Sequence, residues 1–338
     1  MRISDFTLRN LRTFCAVTEH GGFLGAQAVL GMSQPAISAH VKDLEVAVGF
    51  PLCRRGRAGF ALTEKGEVVY DRAKEMLAGV EDCESRLGEL RRALTGRLRI
   101  GLVDSEAMNP ALPVAEAIRR FFARDNDVEL SLDIGTPDWL EKALLTGDIQ
   151  LGIGPFPTRA PNLDHLPVWE EVHALYCGRH HPLFAAPSET ITRAELARHA
   201  MTVRPYLRHA ELAAWEAPRI AASVSNMEAQ AILIASGRFL GFLPTHYARP
   251  WVASGEMRAI DHLGIEWRSP FFLATRVSPQ PPQIVRVFRD DMVAAIVGDN
   301  RAPPDCSYGK PTGNRRESDT GCRGRPGSRG SPSTSGSP

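Results

Sequence analysis

The chain has 338 residues, a formal net charge of +1 and a hydrophobic share of 43%. That length suits two or three domains, and the near-zero charge excludes a protein that coats nucleic acid in bulk while leaving room for a local basic patch. No run of about eighteen apolar residues appears, so no membrane partner is expected, and the polar start MRISDFTLRN lacks the apolar core of a secretory signal. The six cysteines (Cys15, Cys53, Cys83, Cys177, Cys306 and Cys322) show neither a CxxC pair nor metal-like spacing, and read as reduced thiols of a cytoplasmic protein.

Residues 5–63 read as a compact set of short helices. Leu11, Phe14, Cys15 and Thr18 share one helical face, and His20-Gly21-Gly22 ends that helix. Phe23 to Leu30 forms a second short helix, with Ala26 and Leu30 inward, and Gly31-Met32 makes the turn. Ser33 is a natural N-cap for a third helix, and Pro35 sits in its first turn, where a missing N–H costs nothing. Ile37, Val41, Leu44 and Val48 form its buried stripe. Helix, tight turn, helix is the pattern whose second helix enters the DNA major groove. Ser33, Gln34, Pro35, Ser38, His40 and Lys42 are therefore the expected DNA-reading residues. The following PLCRRGRAGFAL carries Arg54, Arg55 and Arg57 between glycines, a basic hairpin wing suited to the phosphate backbone.

Residues 64–95 read as one long linker helix, capped by Thr63 and with Glu64 and Glu67 near its positive end. Val69, Ala73, Met76, Val80, Cys83, Leu87, Leu90 and Leu94 follow at alternating spacings of four and three, a heptad seam that predicts a coiled-coil dimer. Thr95-Gly96 reads as a hinge. Residues 96–297 then alternate: strand (RLRIGLVD), helix from about Pro110 to Ala123, strand (DVELSLDIG), helix, strand. That order implies a parallel sheet with helices on both faces, and residues 219–244 repeat the theme. Ligands of such sheets sit beyond the carboxyl ends of strands. This names Asp104, Ser105, Gly154, Pro155, Val203, Arg204, Ser225, Asn226, Pro244 and Thr245 as effector-contacting candidates. Asp104 and Glu106 would repel a carboxylate unless Arg204 or the helix dipoles compensate, which points to a ligand bearing a cationic or donor-rich group. The alternative is that Asp104 caps the helix after it. Residues 298–338 are rich in Gly, Ser, Pro and Arg and read as a disordered tail.

The run from Phe14 to Gly66 resembles the winged helix-turn-helix of the LysR-type transcriptional regulators. The matching marks include Phe14, Glu19, Gly21, Phe23, Ala26, Leu30, Ser33-Gln34-Pro35-Ala36, Ser38, Leu44-Glu45, Gly49, Pro51-Leu52, Arg55, Leu62-Thr63 and Gly66. The chain departs from the family pattern at Gly22, Leu24, Gly25, Ala39 and Cys53, and Leu24, Gly25 and Ala39 would remove expected DNA contacts. The resemblance runs to about residue 297. It implies a mixed fold: an all-α-dominated winged domain, a long coiled-coil linker helix and a two-lobed α/β effector domain like a periplasmic binding protein. It also implies a homodimer or homotetramer on a two-fold-symmetric promoter, a small-molecule effector between the lobes, and RNA polymerase as a further partner.

No Gly-rich phosphate loop, GxSxG elbow or HExxH is present, and the adjacent His180-His181 point apart. No enzymatic activity, metal or cofactor is expected. Cys177 stands alone before the tail, which argues against a disulfide switch. The rival reading is a cytosolic small-molecule-binding protein without a regulatory role.

Overall fold

The computed structural model describes residues 5–56, 59–90, 93–207, 219–278 and 280–298. Arg57 and the tail beyond Gly298 lie outside these, as do Cys306 and Cys322.

The N-terminal helices follow from local stops and caps. Helix α1 (Asp5–Glu19) ends before Gly21, whose φ of 67° is cheap only for glycine. Helix α2 (Phe23–Leu30) closes at Gly31, φ 61°, whose N–H donates to Gln27 O. Ser33 Oγ then accepts from Ala36 N at 3.5 Å and starts α3 (Gln34–Val48). Ile37, Val41 and Leu44 pack fully buried against Leu11, Phe14 and Ala26. Strands β1 (Cys53–Gly56) and β2 (Gly59–Leu62) pair antiparallel, so the glycine-broken basic run is a hairpin. Glu45 Oε1 ties α3 to this wing by accepting from Leu52 N (2.7 Å) and Cys53 N (3.4 Å).

Thr63 Oγ1 accepts from Gly66 N at 2.9 Å and opens helix α4 (Glu64–Leu90). Its 27 residues span about 40 Å. The heptad reading of this helix needs two corrections. Ala73 is buried in the core of the winged domain, and Val69 and Met76 pack half-buried against it, so this stretch of the seam is at least partly covered by its own domain. Leu94 is not on the helix at all: it opens strand β3 (Leu94–Leu102) and pairs with Asn126. Thr95 and Gly96, read as a hinge, are laddered to Asp127 and Val128 in the same strand pair. Further along α4, Cys83, Leu87 and Leu90 stay exposed, Leu87 by 55% and Leu90 by 82%.

Beyond α4 one nine-stranded sheet runs through both lobes. In the first lobe β3 lies parallel between β4 (Asn126–Ile134) and β5 (Leu151–Gly154). Helix α5 (Val114–Phe122) starts later than the sequence reading, after Pro113. With α6 (Pro137–Thr146) it covers the sheet around Leu98, Ile100, Phe121, Leu140 and Ile153. Strand β6 (Leu163–Gly178) then crosses out of this lobe. The second lobe adds α7 (Arg193–Leu196), β7 (Ala200–Val203), β8 (Arg219–Ser223), α8 (Met227–Ala235), β9 (Leu240–Pro244), α9 (Thr245–Ala253) and β10 (Met257–Ala259). Its core gathers Leu175, Met201, Val203, Leu240 and Phe242. Strand β11 (Glu266–Arg276) crosses back, pairing antiparallel with β6 and then with β5 at Phe272↔Gly154, and α10 (Gln283–Gly298) closes the first lobe.

Replacing Glu45 with Ala should lower the unfolding free energy of the winged domain by about 1–3 kcal/mol, because two backbone donors lose their acceptor. Glu45→Gln, which keeps an oxygen there, should lose less. Urea denaturation of both variants checks this.

Candidate DNA-reading helix and effector cleft

Ser33, Gln34 and Pro35 sit exposed at the entrance of α3, with Lys42 exposed further along and Ser38 half-buried. Arg54 is exposed on β1, and Arg55 follows it on the same strand. His40 is half-buried, with Nδ1 3.1 Å from Thr13 Oγ1, so that nitrogen is tied to α1. Leu24 is exposed, as expected of a position that lost a polar contact. Gly25 has a packing reason of its own: a Cβ there would lie 2.1 Å from the His20 carbonyl oxygen.

The effector candidates divide. Asp104, Ser105, Pro155 and Arg204 line a cavity between the lobes, together with Glu106, Pro137, Glu171, Tyr206, Met227, Ser269 and Phe271. Its volume is about 10 Å³, room for about one water molecule. Gly154, Val203, Ser225, Asn226, Pro244 and Thr245 are not among the lining residues. Gly154 is a packing glycine, since a Cβ would meet Val103 Cγ1 at 2.9 Å. Val203 belongs to the second-lobe core. Asn226 caps α8 by accepting from Ala229 N at 2.8 Å, and Ser225 and Thr245 are exposed. A larger hollow of about 720 Å³ between the winged domain and the first lobe is lined by two ion pairs, Lys74 with Asp148 and Arg99 with Glu81.

Asp104 does not cap the helix after it. Its Oδ2 accepts from Met227 N, the first residue of α8, and so joins the two lobes. Helix N-termini stabilise anions, which favours this bridge, although burial still raises the Asp104 pKa above the ordinary carboxyl value. Ser105 takes a left-handed φ of 74°, which aims Glu106 back into the cleft. Glu106 Oε2 accepts from Asn109 Nδ2 at 2.7 Å, while its Oε1 is buried with no hydrogen-bond donor among the described residues.

Glu171 and His173 face inward from β6, at the point where that strand leaves the first lobe. Arg204, fully buried, approaches His173 Nδ1 at 3.3 Å. A guanidinium can only donate, so Nδ1 accepts and Nε2 carries the proton. Nε2 lies 2.7 Å from Glu171 Oε2. Trp267 stacks on the His173 ring at 4.0 Å. Across the cleft His246 Nε2 lies 3.3 Å from the Ser105 carbonyl, which can only accept. The His246 Nδ1 lone pair therefore faces Glu171 Oε1, at 3.8 Å. Burial, followed by the nearby Arg204 and His246, holds the His173 pKa well below its ordinary value, and burial also lowers that of His246. Burial first, then the Glu171 charge, raises Glu106 well above the carboxylate range; burial raises Glu171 to about 7.

Sequence reasoning missed Glu171, His173 and His246. EEVHALYCG reads as an ordinary alternating strand, and nothing local marks its polar residues as enclosed. His246 adjoins the named Thr245, but the first turn of α9 turns the next residue inward.

A winged helix-turn-helix carried on a long helix, followed by two α/β lobes around a polar cleft, defines a ligand-responsive DNA-binding regulator. Residues 91–296 match the LysR substrate binding domain, and residues 8–67 match the bacterial regulatory helix-turn-helix protein of the lysR family. The chain belongs to the LysR family of transcriptional regulators. It is 33% identical, over 85% of its length and 94% of the relative's, to the HTH-type transcriptional activator BauR of Pseudomonas aeruginosa. In fold it is similar to a full-length OxyR variant from Pseudomonas aeruginosa, with a TM-score of 0.59, 21% identity, and coverage of 86% of this chain and 95% of that one. It is also similar to full-length CbnR in complex with its target DNA, with a TM-score of 0.57, 23% identity, and coverage of 85% and 99%.

A Glu171 pKa raised from 4.5 to about 7 stabilises the fold below about pH 4.5, and that stabilisation is lost as pH rises through 7. Asp104, Glu106, His173, Arg204 and His246 surround it and titrate or carry charge in both proteins compared. The stability of wild type relative to Glu171→Gln should therefore fall by about 1–3 kcal/mol between pH 5 and 8. Thermal melts across that range check it, and a flat difference contradicts it.

Proposed function

We propose that α3 reads the major groove through Gln34, Ser38 and Lys42, with Ser33 and Pro35 fixing the helix entrance, while Arg54, Arg55 and Arg57 of the wing lie along the phosphates. The observation that carries this is the exposed, serine-capped entrance of α3 standing beside an exposed basic hairpin. His40 contributes through its remaining ring nitrogen or not at all.

Dimerisation runs through α4, as a coiled coil over the part of the seam that the winged domain leaves uncovered, Cys83, Leu87 and Leu90, beside half-buried Val80. Two copies then place two recognition helices on a two-fold promoter site, with half-sites about one helical turn or a multiple apart. Tetramer formation and contact with RNA polymerase, in the bacterial cytoplasm, complete the reading. The effector domain works in the manner of a periplasmic binding protein: a small molecule entering between the lobes, against Asp104, Ser105, Pro155 and Arg204, favours one lobe geometry and so one arrangement of the paired DNA-binding domains. The reading as a small-molecule binder with no regulatory role leaves the intact winged domain without a purpose.

Gel retardation on a duplex chosen by selection from random sequence tests the DNA half. Gln34→Ala should cost about 1–3 kcal/mol and relax preference at one base position. Arg54→Ala should weaken all duplexes alike and flatten the logarithmic salt slope by about one. Failure of the wild-type chain to enrich any duplex overturns the proposal.

A further inference from the structure

Among the described residues, three carboxyl groups, Asp104, Glu106 and Glu171, line the cleft with one guanidinium, Arg204. Asp104 is occupied by the α8 N-terminus. Arg204 is occupied too: its guanidinium bonds Met227 Sδ at 2.9 Å and His173 Nδ1 at 3.3 Å, and lies 6.0 Å from the rings of Tyr206 and Trp267. What remains open is acceptor capacity. Glu106 and Glu171 are each 3% exposed, and each buries one oxygen to which, apart from the contact between the two carboxyls themselves, no described residue donates a hydrogen bond. A carboxylate oxygen from each of them and a ring nitrogen of His246 lie within 4.8 Å of one another. The tautomer fixed by the Ser105 carbonyl makes Nδ1 of His246 a third acceptor on that side.

These three buried groups hold between them only the proton that the two acids share, and a compact group bringing several donors would satisfy them together. An ammonium does this: its hydrogen bonds of about 2.8 Å reach acceptors up to about 4.6 Å apart, and the three groups lie within 4.8 Å of one another, His246 Nδ1 and Glu171 Oε1 at 3.8 Å. We infer that the effector of this cleft is a short-chain primary amine whose ammonium is held by Glu106, Glu171 and His246. The inference rests on the effector-cleft reading above and names the chemistry of its ligand.

The rest of the lining agrees. Val103, Pro137, Pro155, Met227 and Phe271 supply apolar surface for a carbon chain. A carboxylate head would meet two unmatched acids and a guanidinium already engaged. A divalent cation would need both acids ionised beside the fixed charge of Arg204, whereas a monocation takes over the place of one shared proton. The cavity admits little more than an ammonium head, so the lobes part to receive the chain and close on it.

Isothermal titration of the full-length protein at neutral pH tests this, with primary alkylamines from methylamine to hexylamine, their N-trimethyl counterparts, carboxylates of equal length, and Zn2+ and Mn2+ as probes. At least one primary amine should bind, its trimethyl counterpart about tenfold or more weakly, and Glu106→Gln and Glu171→Gln should each weaken the amine by about 10- to 100-fold. Carboxylate binding without amine binding overturns the inference. So does metal binding without amine binding, or silence from the whole amine series. Gel retardation of the same preparations separates the two claims: DNA binding retained without amine binding overturns the amine alone, and loss of both overturns the regulator reading.

Discussion

Two long antiparallel strands, β6 and β11, carry the chain between the lobes, and the cleft chemistry depends on their register. Glu171 pairs with Ser269 and His173 with Trp267, so the acid, the imidazole and the indole that covers it are set at the crossing by backbone hydrogen bonds. A slip of one residue would turn Glu171 and His173 outward and present Val172 to the cleft. The strands that join the lobes thus also hold the charged groups between them. Any rearrangement of the lobes changes how those groups are buried.

Burial is costly for unpaired charge, and the cleft deals with it unevenly. Asp104 is matched by the α8 terminus and Arg204 by His173 and the surrounding rings, while Glu171 Oε2 lies 2.7 Å from His173 Nε2. The remainder is acceptor surplus at Glu106 and Glu171.

Strand β3 is shared by both halves of the molecule. Past its middle Arg99 pairs with Glu81 of α4, and its N–H donates to Gln150 Oε1 at 3.0 Å, while Gln150 Nε2 donates to Asp82 of the same helix at 3.4 Å. Just beyond its end stands Asp104, bound to the opposite lobe. The helix that carries the DNA-binding domain and the residue that bridges the lobes are therefore anchored to one rigid element. This gives the cleft and α4 a common mechanical frame without a special relay of side chains.

The sequence alone determined the features that are local. Ser33, Pro35 and the stripe Ile37, Val41, Leu44 specify α3 because capping and helical periodicity act within a few residues; the glycines around the arginines specify the wing, and the alternation of segments specifies the α/β lobes. Arg204 and Asp104 were legible because strand ends can be counted. Whether a seam residue meets a partner, its own domain or a strand was decided by the tertiary structure, since apolar spacing continues from Leu90 to Leu94 across the point where the helix ends. The enclosure of Glu171, His173 and His246 was decided the same way. Strands β6 and β11 and helix α9 meet there from separate parts of the chain, and burial is a property of what packs against a residue rather than of the residue and its neighbours in sequence.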